Sequence, residues 1–270
     1  MPSIRCGEVD VHYEIHGAGP RLLFIGGTGG DLRRKPNVFD SPLAGSFEVL
    51  SYDQRGLGQT LAPDRAYTMA DYADDAAALL DALGWERCHV MGVSFGGMVA
   101  QELALRHPER VERLVLACTT AGGAGGSSYP LHELQNLPYA EYARRLVPLL
   151  DTRRDAAWQA SHANEFDELV ARIAASLSIG ADEPGRQSGA SRQLQARAGH
   201  DTWARLPGLR LPVLVCGGHF DGLAPAASVR ALYRQIPGAR LECFDAGHNF
   251  YVEDAGAGAR IVAFLRGDCL

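Results

Sequence analysis

The sequence places a serine, an aspartate and a histidine where each residue type can perform one part of an acyl transfer. Ser94 stands in Gly92-Val93-Ser94-Phe95-Gly96, directly after the apolar run Cys88 to Met91 and at the start of a helix-forming stretch. A serine at a sharp strand-to-helix turn is strained and pushed outward, and glycines two positions away let neighbouring backbone pass without a Cβ clash. The same turn puts the Phe95 N–H at a helix start, where it can stabilise developing negative charge. A serine hydroxyl is a poor nucleophile at neutral pH, so it needs a base, and that base needs a carboxylate to fix its tautomer. Asp221, in Gly217-Gly218-His219-Phe220-Asp221-Gly222, and His248, in Asp245-Ala246-Gly247-His248-Asn249, follow in the required chain order on loops leaving two successive predicted strands.

Each residue also has a plainer reading. A glycine-rich turn before a helix needs no chemistry, Asp221 could be a turn or helix-cap aspartate with Asp245 as its nearest competitor, and His248 could be a satisfied loop histidine. What favours the catalytic reading is convergence, since all three residues leave the carboxyl ends of parallel strands and so share one edge of the sheet. His12, His16, His89, His107, His132, His162 and His200 lack that setting. His219 sits near Asp221 and is either pocket lining or an ordinary loop residue. The oxyanion formed on attack needs a second donor besides Phe95 N–H. Gly26-Gly27-Thr28-Gly29-Gly30, after the strand Leu22 to Ile25, supplies it through Thr28 N–H, with Gly27 as the alternative. A phosphate-cradling loop would need Gly-x-Gly-x-x-Gly spacing or a closing lysine. Neither occurs there, and Lys35 is the only lysine in the chain.

Around these residues, short β-rich runs alternate with helical patterns. Arg21 to Ile25, Phe47 to Tyr52, Arg87 to Val93, Val111 to Cys118, Leu211 to Cys216 and Arg240 to Phe244 read as buried strands. Asp71 to Leu83 and Phe95 to His107 read as helices, ended by Gly84 and Pro108. Val9 to Ile15 alternates and reads as an antiparallel edge strand. The pattern predicts an α/β fold, a mostly parallel central sheet flanked by helices. It breaks at the glycine-rich stretch from Ala121 to Pro130. From Leu131 to about Arg205 the pattern is helical, with Phe166, Leu169, Ile173 and Leu177 at spacings of three and four. The predicted organisation is a core of residues 1–120 and 206–270 with a helical cap, 121–205, inserted after the sixth strand. Such a block is placed to cover a pocket at the strand ends. Trp158, Trp203, Phe166 and Tyr129, with His219, are the pocket candidates, and ordinary core packing is the competing reading for each.

Composition narrows the partners. The chain has 270 residues, 46% hydrophobic and 21% charged, with a formal net charge of −6. No run of like charge offers a nucleic-acid or polybasic membrane footprint, so a small-molecule substrate fits best. Cys6, Cys88, Cys118, Cys216, Cys243 and Cys269 are scattered singly, without zinc-site spacing or disulfide-scaffold density, and read as reduced and mostly buried. No metal and no cofactor is expected. The start, Met1 to Glu8, has no apolar signal region, and no apolar run of about eighteen residues occurs, so a soluble cytoplasmic protein is expected. Oligomeric state stays open.

At these residues the chain resembles the α/β-hydrolase family over nearly its whole length. Gly17-Ala18-Gly19-Pro20 before a strand, Asp53-Gln54-Arg55-Gly56-Leu57-Gly58-Gln59-Thr60 after one, the Ser94 turn, and Gly247-His248 with Glu253 beyond carry the likeness. The variant it is most similar to is the capped, cofactor-free type that includes carboxylesterases, enol-lactonases and hydrolases of aromatic ring-cleavage products. The resemblance implies a serine hydrolase of a small ester or lactone that works through an acyl-enzyme. Carbon–carbon bond hydrolysis of a diketone-like substrate, biosynthetic thioester release, and a non-hydrolytic enzyme or ligand receptor on the same fold are the alternatives. Two positions depart from or narrow the pattern. Gly26-Gly27 stands where the family usually has His-Gly, which alters the support of the oxyanion loop. Ser94 stands where related dehalogenases and epoxide hydrolases carry aspartate, which argues against those activities.

Overall fold

A computed structural model describes residues 2–268. Eight strands form one sheet in the order β1-β2-β4-β3-β5-β6-β7-β8. They are β1 (Ser3–Cys6), β2 (Val9–His16), β3 (Arg21–Ile25), β4 (Glu48–Tyr52), β5 (Cys88–Val93), β6 (Val111–Ala117), β7 (Val213–Gly218) and β8 (Arg240–Phe244). The β1/β2 and β2/β4 pairings are antiparallel and all others parallel. Every residue of β5 and β7 is buried, as expected of parallel strands covered on both faces.

Two apolar layers sandwich the sheet. One lies under α1 (Met69–Ala82), α2 (Phe95–Arg106) and α7 (Ala226–Gln235), and includes Leu23, Ile25, Val90, Leu114 and Val215. The other joins Leu22, Val49, Met91, Val93, Val115 and Leu214 to α8 (Phe250–Glu253) and α9 (Ala255–Arg266). Helix α1 begins where its sequence says it should. Thr68 accepts from Asp71 N–H while the Asp71 carboxylate accepts from Thr68 N–H, a reciprocal cap.

Between β6 and β7 run α3 (Tyr139–Leu150), α4 (Ala156–Ser161), α5 (Ala163–Ser178) and α6 (Arg186–Ala198). These helices carry two apolar clusters of their own, one around Leu131, Leu134, Leu194 and Leu223, the other around Ala143, Val147, Phe166 and Val170.

Two sequence-based expectations need correction. The strand opening with Val9 is second in the sheet, because β1 pairs outside it across the Gly7-Glu8 turn. β1 reads Ser-Ile-Arg-Cys, too short and polar to show an alternating pattern. The strand expected at Leu211 to Cys216 runs two residues later. Pro212 has no N–H for the ladder, and Gly217 and Gly218 extend the strand. A Cβ on Gly218 would overlap the carbonyls of Ala246 and Gly247, so only glycine lets the strand pass that loop. Met1 and Cys269 lie outside the described residues. Of the remaining cysteines, all free, Cys6, Cys88, Cys118 and Cys216 are buried and Cys243 is half-buried.

Candidate active site

Ser94 occupies the junction of β5 and α2 with φ 55° and ψ −116°, a conformation L residues rarely adopt. The glycines around it are there for space. A Cβ on Gly92 would overlap the carbonyl of Gly96, and one on Gly96 would overlap the carbonyls of Ile25 and Gly26. Ser94 N–H donates to Ala117 O at 2.9 Å, tying the turn to the end of β6. The serine stands at the N-cap of α2, yet its hydroxyl caps nothing, so it is free to act elsewhere.

Asp221 and His248 form a buried pair on the loops after β7 and β8. His248 Nδ1 lies 2.7 Å from Asp221 Oδ2, while Asp221 Oδ1 accepts N–H bonds from Leu223 and Ala224 at 2.8 Å each. The carboxylate is therefore aimed by its own loop, and it fixes which nitrogen of the imidazole faces outward. Burial favours the neutral imidazole, but Cys118 beside it and the Asp221 carboxylate outweigh that and hold His248 above the ordinary histidine range.

Cys118, at φ 41°, follows Ala117, whose carbonyl holds Ser94. One strand end thus links the serine turn to the imidazole. Sequence reading missed this position, since a lone cysteine at a strand end carries no spacing signal. The missed clue is its place one residue beyond the partner of the serine turn.

The loops carrying Asp221 and His248 are also clamped from above. Gly222 N–H donates to Leu149 O at 2.9 Å and His248 N–H to Leu150 O at 2.6 Å. Those carbonyls belong to the last turn of α3, where a helix leaves acceptors unused. The helical block thereby satisfies its own terminus with the two loops.

On the other side of Ser94, a Cβ on Gly27 would stand 3.6 Å from the serine Cβ. Among the described residues, the N–H groups of Gly27, Thr28 and Phe95 donate to no protein acceptor. Gln54 donates to Gly26 O at 2.9 Å and Gln193 Oε1 accepts from Gly29 N–H at 2.8 Å, which brace the loop from both ends. A cavity of about 390 Å³ borders the far face of this loop, lined by Gly26, Gly27, Met91, Val93 and Tyr251 but by neither Ser94, Asp221 nor His248.

The pocket candidates scatter. Phe166 is packed in the block's own core with Trp158 alongside, and Trp158 stacks on His162 at 4.8 Å. Trp203 packs on the main core, and its ring occupies the space a Gly125 Cβ would need. His219 is exposed, held only through its backbone to Phe244 O at 2.9 Å. Tyr129 alone stays near, with its N–H on Leu223 O at 2.8 Å, one residue pair from Asp221. Of the other four, Phe166 and Trp158 pack within the helical block, Trp203 packs on the main core and His219 lies at the surface.

A family model for the alpha/beta hydrolase fold matches residues 20–255. The chain belongs to this family. This α/β hydrolase is 31% identical over 252 residues, 92% of this chain and 91% of the other, to a protein of Azorhizobium caulinodans named for carbamate hydrolysis. It is 33% identical over 273 residues to a 2-hydroxymuconate semialdehyde hydrolase of Pseudomonas putida, covering 92% of this chain and 84% of that one. Among solved structures, the enol-lactonase of Burkholderia xenovorans LB400 superposes with a TM-score of 0.79 at 26% identity, over 99% of this α/β hydrolase and all of that chain. The protein is a hydrolase. Among the described residues, no helix is long and apolar enough to cross a membrane, and no group of three or more acidic, histidine or cysteine side chains is placed to hold a metal.

Proposed function

We propose that the protein hydrolyses a small-molecule ester or lactone through Ser94, His248 and Asp221. The observation that carries this reading is the 2.7 Å Asp221–His248 pair on the sheet edge that also presents the unpartnered Ser94 hydroxyl on a strained turn. In the proposed cycle, His248 Nε2 accepts the Ser94 proton as Oγ bonds to the acyl carbon. The carbonyl electrons move onto oxygen and rest on the N–H groups of Phe95 and Thr28, with Gly27 as the alternative donor. The protonated imidazole then gives its proton to the departing alcohol, leaving an acyl-serine. Water, deprotonated by His248, attacks that ester, and collapse returns the proton to Ser94 as the acid leaves. The helical block between β6 and β7 serves as the cap over the substrate, with Tyr129 on its inner side.

Carbon–carbon bond cleavage is the second reading, favoured by the 33% identity to the 2-hydroxymuconate semialdehyde hydrolase. There the same serine and histidine would act on a ketone carbon and the leaving group would be a carbanion equivalent, protonated on departure. A panel of p-nitrophenyl esters from acetate to decanoate, run beside Ser94→Ala, separates the readings. Turnover that depends on Ser94 supports the ester reading. Turnover of a vinylogous diketone with none of the esters moves the assignment to carbon–carbon hydrolysis, and activity that survives Ser94→Ala overturns both.

A further inference from the structure

Unpaired positive charge lies buried between the loop at Gly26 to Gly30 and helix α6. Thr28 Oγ1, Arg34 Nε, Arg186 Nη1, Gln193 Nε2 and Arg197 Nε are all buried and without a hydrogen-bond partner among the described residues. Some of this charge is neutralised locally. Asp31, its side chain fully buried, pairs with Arg33 at 2.7 Å and with Arg186 at 3.5 Å. Arg34 and Arg197 are different. Arg34 donates only to backbone, to Gly29 O at 2.7 Å and Leu177 O at 3.4 Å. Arg197 is 5% exposed and donates only to Tyr129 O at 2.7 Å.

The position of Arg197 relative to the serine follows from its helix. Gln193 and Arg197 are one turn apart on α6 and so share a face. Gln193 holds Gly29, beside the proposed oxyanion donor Thr28. Arg197 holds Tyr129, which is bonded to Leu223, whose own N–H rests on Asp221. The helix therefore spans from the Gly29 loop to the loop that carries Asp221. Burial holds the Tyr142 phenol above its ordinary range, with the charges of Arg197 and Arg34 acting the other way.

A guanidinium buried without a carboxylate is costly, and neutral acceptors such as backbone carbonyls do not offset a desolvated charge. Burial pushes Arg197 down to about 10, a sign of that uncompensated cost. Proteins retain such groups where a ligand completes the pair, and a planar guanidinium fits a carboxylate in two-point fashion.

We propose that Arg197, with Arg34 at the Gly29 end of the same helix face, binds an anionic group of the substrate, so that the esters or lactones this protein prefers carry a carboxylate. The proposal rests on the hydrolase reading above and names its substrate class. Arg197 is a specificity residue in this scheme and takes no part in bond cleavage.

The test compares kcat/KM for two matched pairs, mono-p-nitrophenyl glutarate against p-nitrophenyl butyrate, and 4-acetoxybenzoate against phenyl acetate. They place the carboxylate on the acyl and the alcohol side respectively. The native protein is expected to prefer the anionic member of at least one pair. In Arg197→Gln that ratio is expected to fall by about tenfold or more, with Arg197→Lys retaining part of it. Glutarate is expected to raise the Tm of Ser94→Ala but not of Ser94→Ala/Arg197→Gln, a binding readout that needs no turnover. A purely structural Arg197 would instead show a lowered Tm in Arg197→Gln with the ratio intact.

Ratios unchanged in Arg197→Gln and Arg34→Gln, together with a glutarate shift that survives both, overturn the proposal. Absence of turnover on all four esters with a glutarate shift lost in Arg197→Gln would leave the anion site standing and remove the ester reading. If Arg197→Gln does not fold, the Arg197→Lys and Arg34→Gln ratios decide alone.

Discussion

The backbone of Ser94 shows what the position of the proposed nucleophile costs. Its φ of 55° costs an L residue about 1–3 kcal/mol, and glycine is free of that cost. Ser94→Gly is therefore expected to unfold at higher urea, by roughly 1 kcal/mol, while losing hydrolysis. Ser94→Ala keeps the strain and is expected to keep the stability, with kcat reduced by about 10⁴-fold or more. Chevron-free equilibrium unfolding and initial rates check both. His248 gives a pH signature of known sign. Its charged form is stabilised in the fold, so the base becomes available only at higher pH, and the acidic limb of kcat/KM is expected above pH 6.5. The same shift stabilises the folded protein fully below pH 6.5, and that contribution fades as pH rises through the folded-state value. A limb at or below pH 6.5 in the rate profile would contradict the assignment. At this scale the sequence was informative where a residue's neighbours restrict it. Ser94, Asp221 and His248 each sit in glycine-punctuated loops after apolar runs, and those contexts survive translation into structure. Cys118, Arg34 and Arg197 do not announce themselves, because what distinguishes them is who faces them across the fold.

Among the elements, α3 does more than cover. Its final carbonyls accept from Gly222 and His248, so the geometry of the proposed acid and base depends on a helix that contributes no side chain to the proposed triad. Gly247 marks the fit, since a Cβ there would overlap Leu150 O and stand 2.9 Å from Asp151 Cβ. Gly247→Ala is expected to cost about 1–3 kcal/mol and to lower kcat at least about tenfold, because displacing a base by a fraction of an ångström is enough to lose its alignment. A variant that melts lower but retains full kcat would show that the clamp serves stability alone. Helix and strand identities were readable from periodicity, with Thr68 and Asp71 marking the start of α1 and the apolar β5 marking a doubly covered strand. Element ends were less readable. Pro212 and Gly218 move β7 by two residues through ladder donors and close backbone approach, neither of which hydrophobic pattern reports.

Across the molecule, the polar pair Arg55–Asp75 joins the loop after β4 to α1. Both side chains are buried, with two bonds of 2.7 Å between them, and the guanidinium lies over the rings of Tyr67 and Tyr72. Asp75→Ala leaves that buried cation with only Glu8 at 3.3 Å and Asp71 at 3.6 Å on its other edge and is expected to cost about 1–3 kcal/mol, read by urea unfolding, without altering the pH profile of turnover. The architecture as a whole was legible because alternating strands and helices admit few topologies. The interior of the helical block was not, since the same spacing of Phe166 and Ile173 serves a pocket wall or a private core, and only the packing decides. The α3 clamp bears finally on how this block could be exchanged. Relatives of one fold invite chimeras in which one protein's cap is grafted onto another's core. Here the seam between them passes through Leu149, Leu150, Gly222 and His248, so a transplant cut at the glycine-rich stretch and at Arg205 would import a foreign helix end against native catalytic loops. Successful grafts would have to carry the loops at 220–223 and 246–248 along with the helices, which makes the proposed acid and base part of the exchanged module.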